Sequence, residues 1–203
     1  MTSCNAATAC LGTTYALTAS VPTVLVRSQS AVNYLDSMQY YQVVSAPPGY
    51  LISVSFSVIN TEACCDPLYV FNSLTATFRT NTVPVGASVY TCAGYTGACP
   101  VSVPRLGLYG TPVVVELWTD SSVTSTGLVF TAALVACPAG SYCTTGSSAP
   151  ILCPSLNYCP LGSSAPLPCM CGGCASMGLS VADSCSATPS PTPTASLSAG
   201  VSL

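Results

Sequence analysis

The side chains that could do chemistry here are few in kind: fourteen cysteines and six carboxylates, with three cationic residues and no histidine. The cations are Arg27, Arg79 and Arg105, so lysine is absent as well. Without His or Lys, the usual bases that activate a Ser or Cys nucleophile are missing. The Asp-Thr-Gly or Asp-Ser-Gly segments of an acid protease do not occur. A glycosidase needs two opposed carboxylates; Glu116 and Asp120 fall four residues apart along one strand, and Glu116 reads better as an edge or surface charge beside Trp118. The expectation is a protein that is not an enzyme. Cys169-Met-Cys171-Gly-Gly-Cys174 resembles a thiolate metal knuckle, but it holds the only Cys-x-x-Cys and no His could complete it. Disulfides, with Cys185 as a further partner, are the preferred reading.

The cysteines fall in even numbers by region: Cys4 and Cys10; then Cys64, Cys65, Cys92 and Cys99; then Cys137, Cys143, Cys153, Cys159, Cys169, Cys171, Cys174 and Cys185. Such density implies an oxidising, extracellular compartment, secreted or cell-surface. Even counts let every bridge close within its own region. In the second group the doublet Cys64-Cys65 is expected to pair with Cys92 and Cys99, in an order the sequence leaves open. The start, Met1-Thr2-Ser3-Cys4, has neither the basic nor the apolar portion of a signal peptide, so the chain reads as a mature or partial one.

Charged residues make up 4% of the chain, net charge is −3 and mean hydropathy is +0.59. An ordinary soluble domain carries about 25% charged residues. No basic patch exists for phosphates, so nucleic acid is excluded as a partner. A spanning helix needs about 20 apolar residues, and the most apolar runs, Val113–Trp118 and Gly127–Ala136, are short and broken by Glu116 and Thr131; no membrane span is expected. Ser and Thr number 52 of 203 residues, and no Asn-x-Ser/Thr sequon occurs. O-linked glycans, above all at Thr188, Ser190, Thr192 and Thr194, would supply hydrophilicity without charge.

Most of the first 136 residues alternate apolar side chains with Ser, Thr and Tyr. Tyr50–Ile59 is the clearest strand, with Leu51, Val54, Phe56 and Val58 interleaved with Ser53, Ser55 and Ser57. Further strands are expected at Tyr15–Ala19, Thr23–Arg27, Tyr40–Ser45, Leu68–Phe71, Leu74–Arg79, Ser88–Thr91, Pro112–Trp118 and Leu128–Val135. Turns fall at Pro47-Pro48-Gly49, Asn72-Ser73 and Gly107–Gly110. Short strands without a helix imply an all-β antiparallel sandwich. From Cys137 a period of 16 appears: Cys137-Pro-Ala-Gly-Ser-Tyr-Cys143 with Gly146-Ser-Ser-Ala-Pro150, then Cys153-Pro-Ser-Leu-Asn-Tyr-Cys159 with Gly162-Ser-Ser-Ala-Pro166. Cys169 opens a third, decayed copy. Units so poor in apolar residues depend on disulfides, and their copies are expected to stack as a short rod. The last stretch, with Thr188-Pro-Ser-Pro-Thr-Pro-Thr194, is extended and Pro-rich.

Two resemblances attach to these residues. Ala46–Phe56, Glu62-Ala-Cys-Cys-Asp66-Pro-Leu-Tyr-Val-Phe71 and Val115–Phe130 resemble, in order and spacing, a CUB domain. The 16-residue units resemble ephrin-receptor-like cysteine-rich modules, and the tail is similar to hydroxyproline-rich wall glycoproteins. The resulting division is an N-terminal segment 1–29 with an extra or exchanged strand, a CUB-like jelly-roll sandwich 30–136, a disulfide-stapled repeat module 137–186 and a Ser/Thr/Pro-rich tail 187–203. The resemblance implies protein or glycan contact. It also implies a calcium site, because Glu62, Asp66 and Asp120 fall on positions where calcium-binding CUB domains place ligands, with Ser122 or carbonyls to complete the shell. Pro67 departs from the family pattern. Tyr40-Tyr41 stands where the family has a Cys, so Cys4 and Cys10 are left to pair with each other. The first functional expectation is a structural glycoprotein that self-associates into matrix, wall or fibril material, with Thr13–Arg27 adding a strand to a neighbour. The alternative is a monomeric, calcium-dependent adhesion or receptor module that binds an extracellular protein or glycan.

Overall fold

Alternating burial along short segments organises the computed structural model, which describes residues 14–27, 33–34, 36–37, 39–72, 88–92, 94, 99, 102–103, 107–169 and 176–180. Among the described residues nine strands build two sheets: β1 (Thr14–Ala16), β2 (Thr23–Arg27), β3 (Gln39–Ser45), β4 (Tyr50–Asn60), β5 (Leu68–Phe71), β6 (Ser88–Cys92), β7 (Ser102–Val103), β8 (Val113–Trp118) and β9 (Gly127–Ala136). One sheet has the order β1-β3-β8-β5-β6, the other β2-β9-β4-β7. Every pairing in them is antiparallel except β1 with β3, which is parallel. The all-β sandwich expected from the alternation is present, and the described residues contain no helix. None of them forms a helix long and apolar enough to cross a membrane. The expected strand Leu74–Arg79 lies outside the described residues.

The core forms where the two sheets face each other. Val44, Val70, Val113, Val115 and Leu117 from one sheet meet Val26, Ile52, Val54, Phe56, Leu128, Phe130 and Ala132 from the other. Phe56 sits 5.7 Å, centroid to centroid, from both Tyr90 and Phe130. Along β4, Ser53, Ser55 and Ser57 face away from this core as the alternation requires. The pairing then slips: Phe56 opposes Phe130, and Val58 opposes Val129. This bulge reverses the phase, so Ile59, fully buried, takes the inward place expected of Val58, which is half-buried.

The first sheet is also apolar on its other face, where Val43, Tyr69, Phe71 and Val114 are buried with Tyr41 packed on them. Glu116 is 1% exposed, which corrects its expected place at an edge or on the surface. It lies on β8, third of the five strands, opposite Tyr41 on one side and Tyr69 on the other. The indole N–H of Trp118 donates to its Oε1 at 2.8 Å.

The described part of the N-terminal segment, residues 14–27, joins both sheets. β1 joins β3 in one sheet and β2 joins β9 in the other, and a tight turn at Thr18–Val21 links them. The described part of the expected segment 1–29 thus supplies one strand to each sheet.

After β9 the chain enters the repeats. β10 (Ser141–Tyr142) pairs with β11 (Ile151–Leu152), and β12 (Asn157–Tyr158) with β13 (Leu167–Pro168), 16 residues further on in both cases. Each unit is closed by a disulfide with buried sulfurs, Cys137–Cys143 and Cys153–Cys159. Gly146, Gly162 and Gly178 recur at that period with φ of 85, 79 and 78°. Gly140 (φ 82°) has Leu156 (φ 64°) as its counterpart, a side chain held in a backbone region that favours glycine.

The doublet is a correction. Cys64 is bonded to Cys65, and Cys92 to Cys99. The doublet sits on an exposed turn, whereas Cys99 is buried in the core with Cys92 against it. Burial therefore separates the two pairs. The Cα atoms of Cys92 and Cys99 are 5.9 Å apart, within the usual range for a bridge. Cys169 is disulfide-bonded too. Cys4, Cys10, Cys171, Cys174, Cys185 and the tail positions Thr188, Ser190, Thr192 and Thr194 lie outside the described residues.

Two substitutions test this account. Phe130→Ala, at the centre of the core, is expected to cost about 3–5 kcal/mol in urea unfolding. Leu156→Gly is expected to raise stability by roughly 0.5–1 kcal/mol, because the left-handed penalty removed exceeds the unfolded-state freedom that glycine adds. Leu156 is 58% exposed, so little burial is lost with it.

Candidate metal centre

The β5–β8 pairing brings the acids together. Leu68 opposes Leu117, so the chain entering β5 runs beside the chain leaving β8. The contact continues past the strands: Trp118 N–H donates to the Pro67 carbonyl at 3.1 Å, and Asp120 N–H donates to Asp66 Oδ1 at 2.8 Å. Pro67 therefore fits, because the pairing uses its carbonyl. Glu62 arrives from the end of β4, held by Thr61, whose N–H donates to the Gly94 carbonyl at 2.8 Å and whose Oγ1 accepts from Gly94 N–H at 3.0 Å. One carboxylate oxygen from each of Glu62, Asp66 and Asp120 can be chosen so that all three lie within 4.8 Å of one another.

Asp66 is fully buried, Glu62 and Asp120 half-buried. Tyr34, 1% exposed, organises the centre of the group. Its hydroxyl donates to Asp66 Oδ2 and accepts from Glu62 N–H at 3.1 Å. Burial first, and then the hydrogen bond to Asp66, push the Tyr34 phenol up to about 12, so it stays a neutral donor. Sequence reasoning missed Tyr34: it is one tyrosine among eleven, on a connecting segment with no alternation to mark it.

Ser122 is exposed, and both its N–H (2.8 Å) and its hydroxyl (3.2 Å) donate to Asp120 Oδ1. In this structure it orients Asp120, a turn contact typical of Asp. Ser37 N–H donates to the Asp120 carbonyl, and Asn60 Nδ2 reaches Thr126 Oγ1 at 2.8 Å. These contacts tie the loop between β8 and β9 to its neighbours. Within this loop Val123, 60% exposed, has φ of +52°, a strained setting for a β-branched residue, and its carbonyl lies 3.4 Å from the Tyr34 hydroxyl.

Three anions at this separation repel one another. Burial first, then Asp120, then Asp66 raise the Glu62 carboxyl above its ordinary value. Glu62 Oε2 is buried without a hydrogen-bond partner among the described residues. Hard divalent cations take oxygen ligands, several of them anionic, and a buried carboxylate oxygen facing two further carboxylates fits that requirement. Glu62, Asp66 and Asp120 would hold such an ion, which would supply positive charge to offset their repulsion. Glu62 also lies with Cys64 and Cys65 in a second close trio, but those sulfurs are bonded to each other.

No family model matches the chain, and no curated protein matches it. Among solved structures it is similar to the full extracellular region of zebrafish Gpr126/Adgrg6, at 18% identity and a TM-score of 0.43, over 64% of this chain and 15% of that one. It is similar to the CUB1-EGF-CUB2 region of human MASP-1/3, at 12% identity and a TM-score of 0.45, over 61% of this chain and 41% of that one. It is also similar to the MASP-1 CUB2 domain bound to Ca2+, at 12% identity and a TM-score of 0.39, over 59% of this chain and 96% of that one. The chain thus spans less than half the length of the first two.

The raised Glu62 carboxyl fixes the sign of a pH effect. Below the ordinary carboxyl range Glu62 is protonated in folded and unfolded chains alike and contributes nothing. As pH rises through its raised folded value, ionisation favours the unfolded chain. Without divalent cations, Glu62→Gln is therefore expected to raise the melting temperature at pH 7 and to leave it unchanged at pH 3, as read by thermal unfolding in chelator.

Proposed function

We propose that the protein is a non-enzymatic, extracellular binding module. Its β-sandwich presents a calcium-organised loop end to a protein or glycan. The observation that carries this reading is the convergence of Glu62, Asp66 and Asp120 from two loops, with one oxygen of Glu62 buried and unpartnered among the described residues. A cation there stabilises the β8–β9 loop in one conformation, so the exposed Val123 side chain meets its partner already ordered. The resemblance of the acidic blocks to CUB domains supports the same reading. So does the cysteine pattern, in which every described cysteine is bridged, as in proteins of oxidising compartments.

Calorimetry and thermal unfolding with calcium test it. Calcium at millimolar concentration is expected to give a saturable heat and a higher melting temperature, and Asp120→Ala is expected to remove both. Absence of any heat or shift in the unmodified protein would overturn the reading.

Assembly into matrix or fibril material is the second reading. It draws on β2, an edge strand among the described residues, on which Leu25 is 58% exposed, as is Val21 just before the strand. Few charges guard that edge, and charge is a common device against edge pairing. O-glycans in the tail and self-association belong to this reading. Electron microscopy of concentrated protein showing only monomers would count against it.

A further inference from the structure

The 16-residue repeat is defined by backbone bonds that recur one period apart. Cys153 N–H donates to the Gly140 carbonyl (3.0 Å), and Cys169 N–H donates to Leu156 (3.0 Å). Gly162 N–H donates to Cys137 (2.8 Å), and Gly178 N–H to Cys153 (2.8 Å). Cys143 N–H donates to Ser163 (2.9 Å), and Cys159 N–H to Leu179 (2.8 Å). Each copy therefore rests on the one before it through the same three bonds.

Moved back one period, the three bonds need a copy before Cys137, where the sequence has none. The structure makes all three with residues of the sandwich. Cys137 N–H donates to the Gly49 carbonyl (2.8 Å), Gly146 N–H donates to the Tyr109 carbonyl (2.8 Å), and Tyr109 N–H donates to the Ser147 carbonyl (3.0 Å). The local conformation matches too. Tyr50 N–H closes a turn on the Pro47 carbonyl (3.2 Å), as Ser141 does on Pro138 (3.1 Å) and Asn157 on Pro154 (3.3 Å). Gly49 has φ of 81°, beside 82° at Gly140 and 64° at Leu156. A Cβ on Gly49 would run into the Gly162 carbonyl, and one on Gly140 into the Gly178 carbonyl, the same contact one period later. Tyr109, 3% exposed, packs with Leu51 against the Cys137 and Cys143 sulfurs. Its single N–H and carbonyl do what Cys143 and Cys137 do for the next copy.

We propose that the end of the sandwich formed by Pro47–Tyr50 and Tyr109 is a structural mimic of one repeat, a docking surface whose partner is a cysteine-rich repeat of this chain. Sandwich and repeats then form one stiff stack with no hinge at Cys137. β4 runs from this surface at Tyr50 to Asn60 beside the acidic loops. At about 3.3 Å per residue, the stack and the candidate metal centre sit roughly 30 Å apart, at opposite ends of the sandwich.

Amide hydrogen exchange on the full, disulfide-intact chain tests the proposal, with Cys153, Gly162 and Gly178 as internal standards. The Cys137 and Gly146 amides are expected to be protected within roughly tenfold of them, as parts of one cooperative unit. Exchange about 100-fold faster at Cys137 and Gly146 than at the standards would mark a flexible linker and overturn the proposal. Gly49→Ala supplies a second arm. It is expected to accelerate exchange at Cys137 and Gly146 by at least about tenfold while core amides such as Val115 and Phe130 keep theirs. Unchanged protection at the junction in that variant would also overturn it. Should Gly49→Ala unfold the chain, residual dipolar couplings on the unmodified protein decide: one alignment tensor for sandwich and repeats supports the proposal, and two independent tensors refute it.

Discussion

The antiparallel pairing of β4 with β9 is the interaction on which the rest of the structure depends. It runs from Tyr50↔Ala136 to Asn60↔Gly127 and contributes one wall of the core. Its ends hold everything else. At one, Asn60 and Gly127 lead into the two loops that carry Glu62 and Asp120. At the other, Tyr50 and Ala136 border the turn and the cysteine on which the repeats begin. A slip of one residue in this register would turn Ile52, Val54 and Phe56 outward and displace both ends at once. The single slip present, at Ser57, falls near the acidic end and restores the inward phase for Ile59.

Much of this was legible in the sequence. β2 and β5 match their expected bounds, β3, β4 and β8 differ by one residue at one end and β9 by one residue at each end, because alternation of Val, Ile and Phe with Ser and Thr directly reports a face that must be buried. The three acids were legible through resemblance, since spacing alone could not say that the start of β5 lies beside the end of β8. Tyr34 was not legible: its role is to fill a position between Glu62 and Asp66 that exists only once the loops have met. The doublet misled for a related reason. Counting cysteines offers Cys92 and Cys99 as partners, while burial, which counting does not register, keeps the two pairs apart. Glu116 misled as well, because a lone acid in an apolar strand suggests an edge, and only the strand order shows that β8 is central.

The shortage of charge takes a definite shape in the fold. Of six acids in the chain, three lie within one small volume and a fourth, Glu116, is buried among aromatic residues. The outward face of β4 is left to the hydroxyls of Ser53, Ser55 and Ser57, and the other face of the first sheet is apolar. The charge of the described residues is thereby gathered largely towards the acidic loops.

The stack of repeats carries a consequence for how such a molecule changes size. Because each unit meets its predecessor through the same backbone bonds, and the sandwich offers those bonds to the first unit, duplicating or deleting a whole unit leaves every joint as it was. Length becomes a quantity adjustable in fixed steps, by unequal recombination or by design, while the head at the far end needs no compensating substitution.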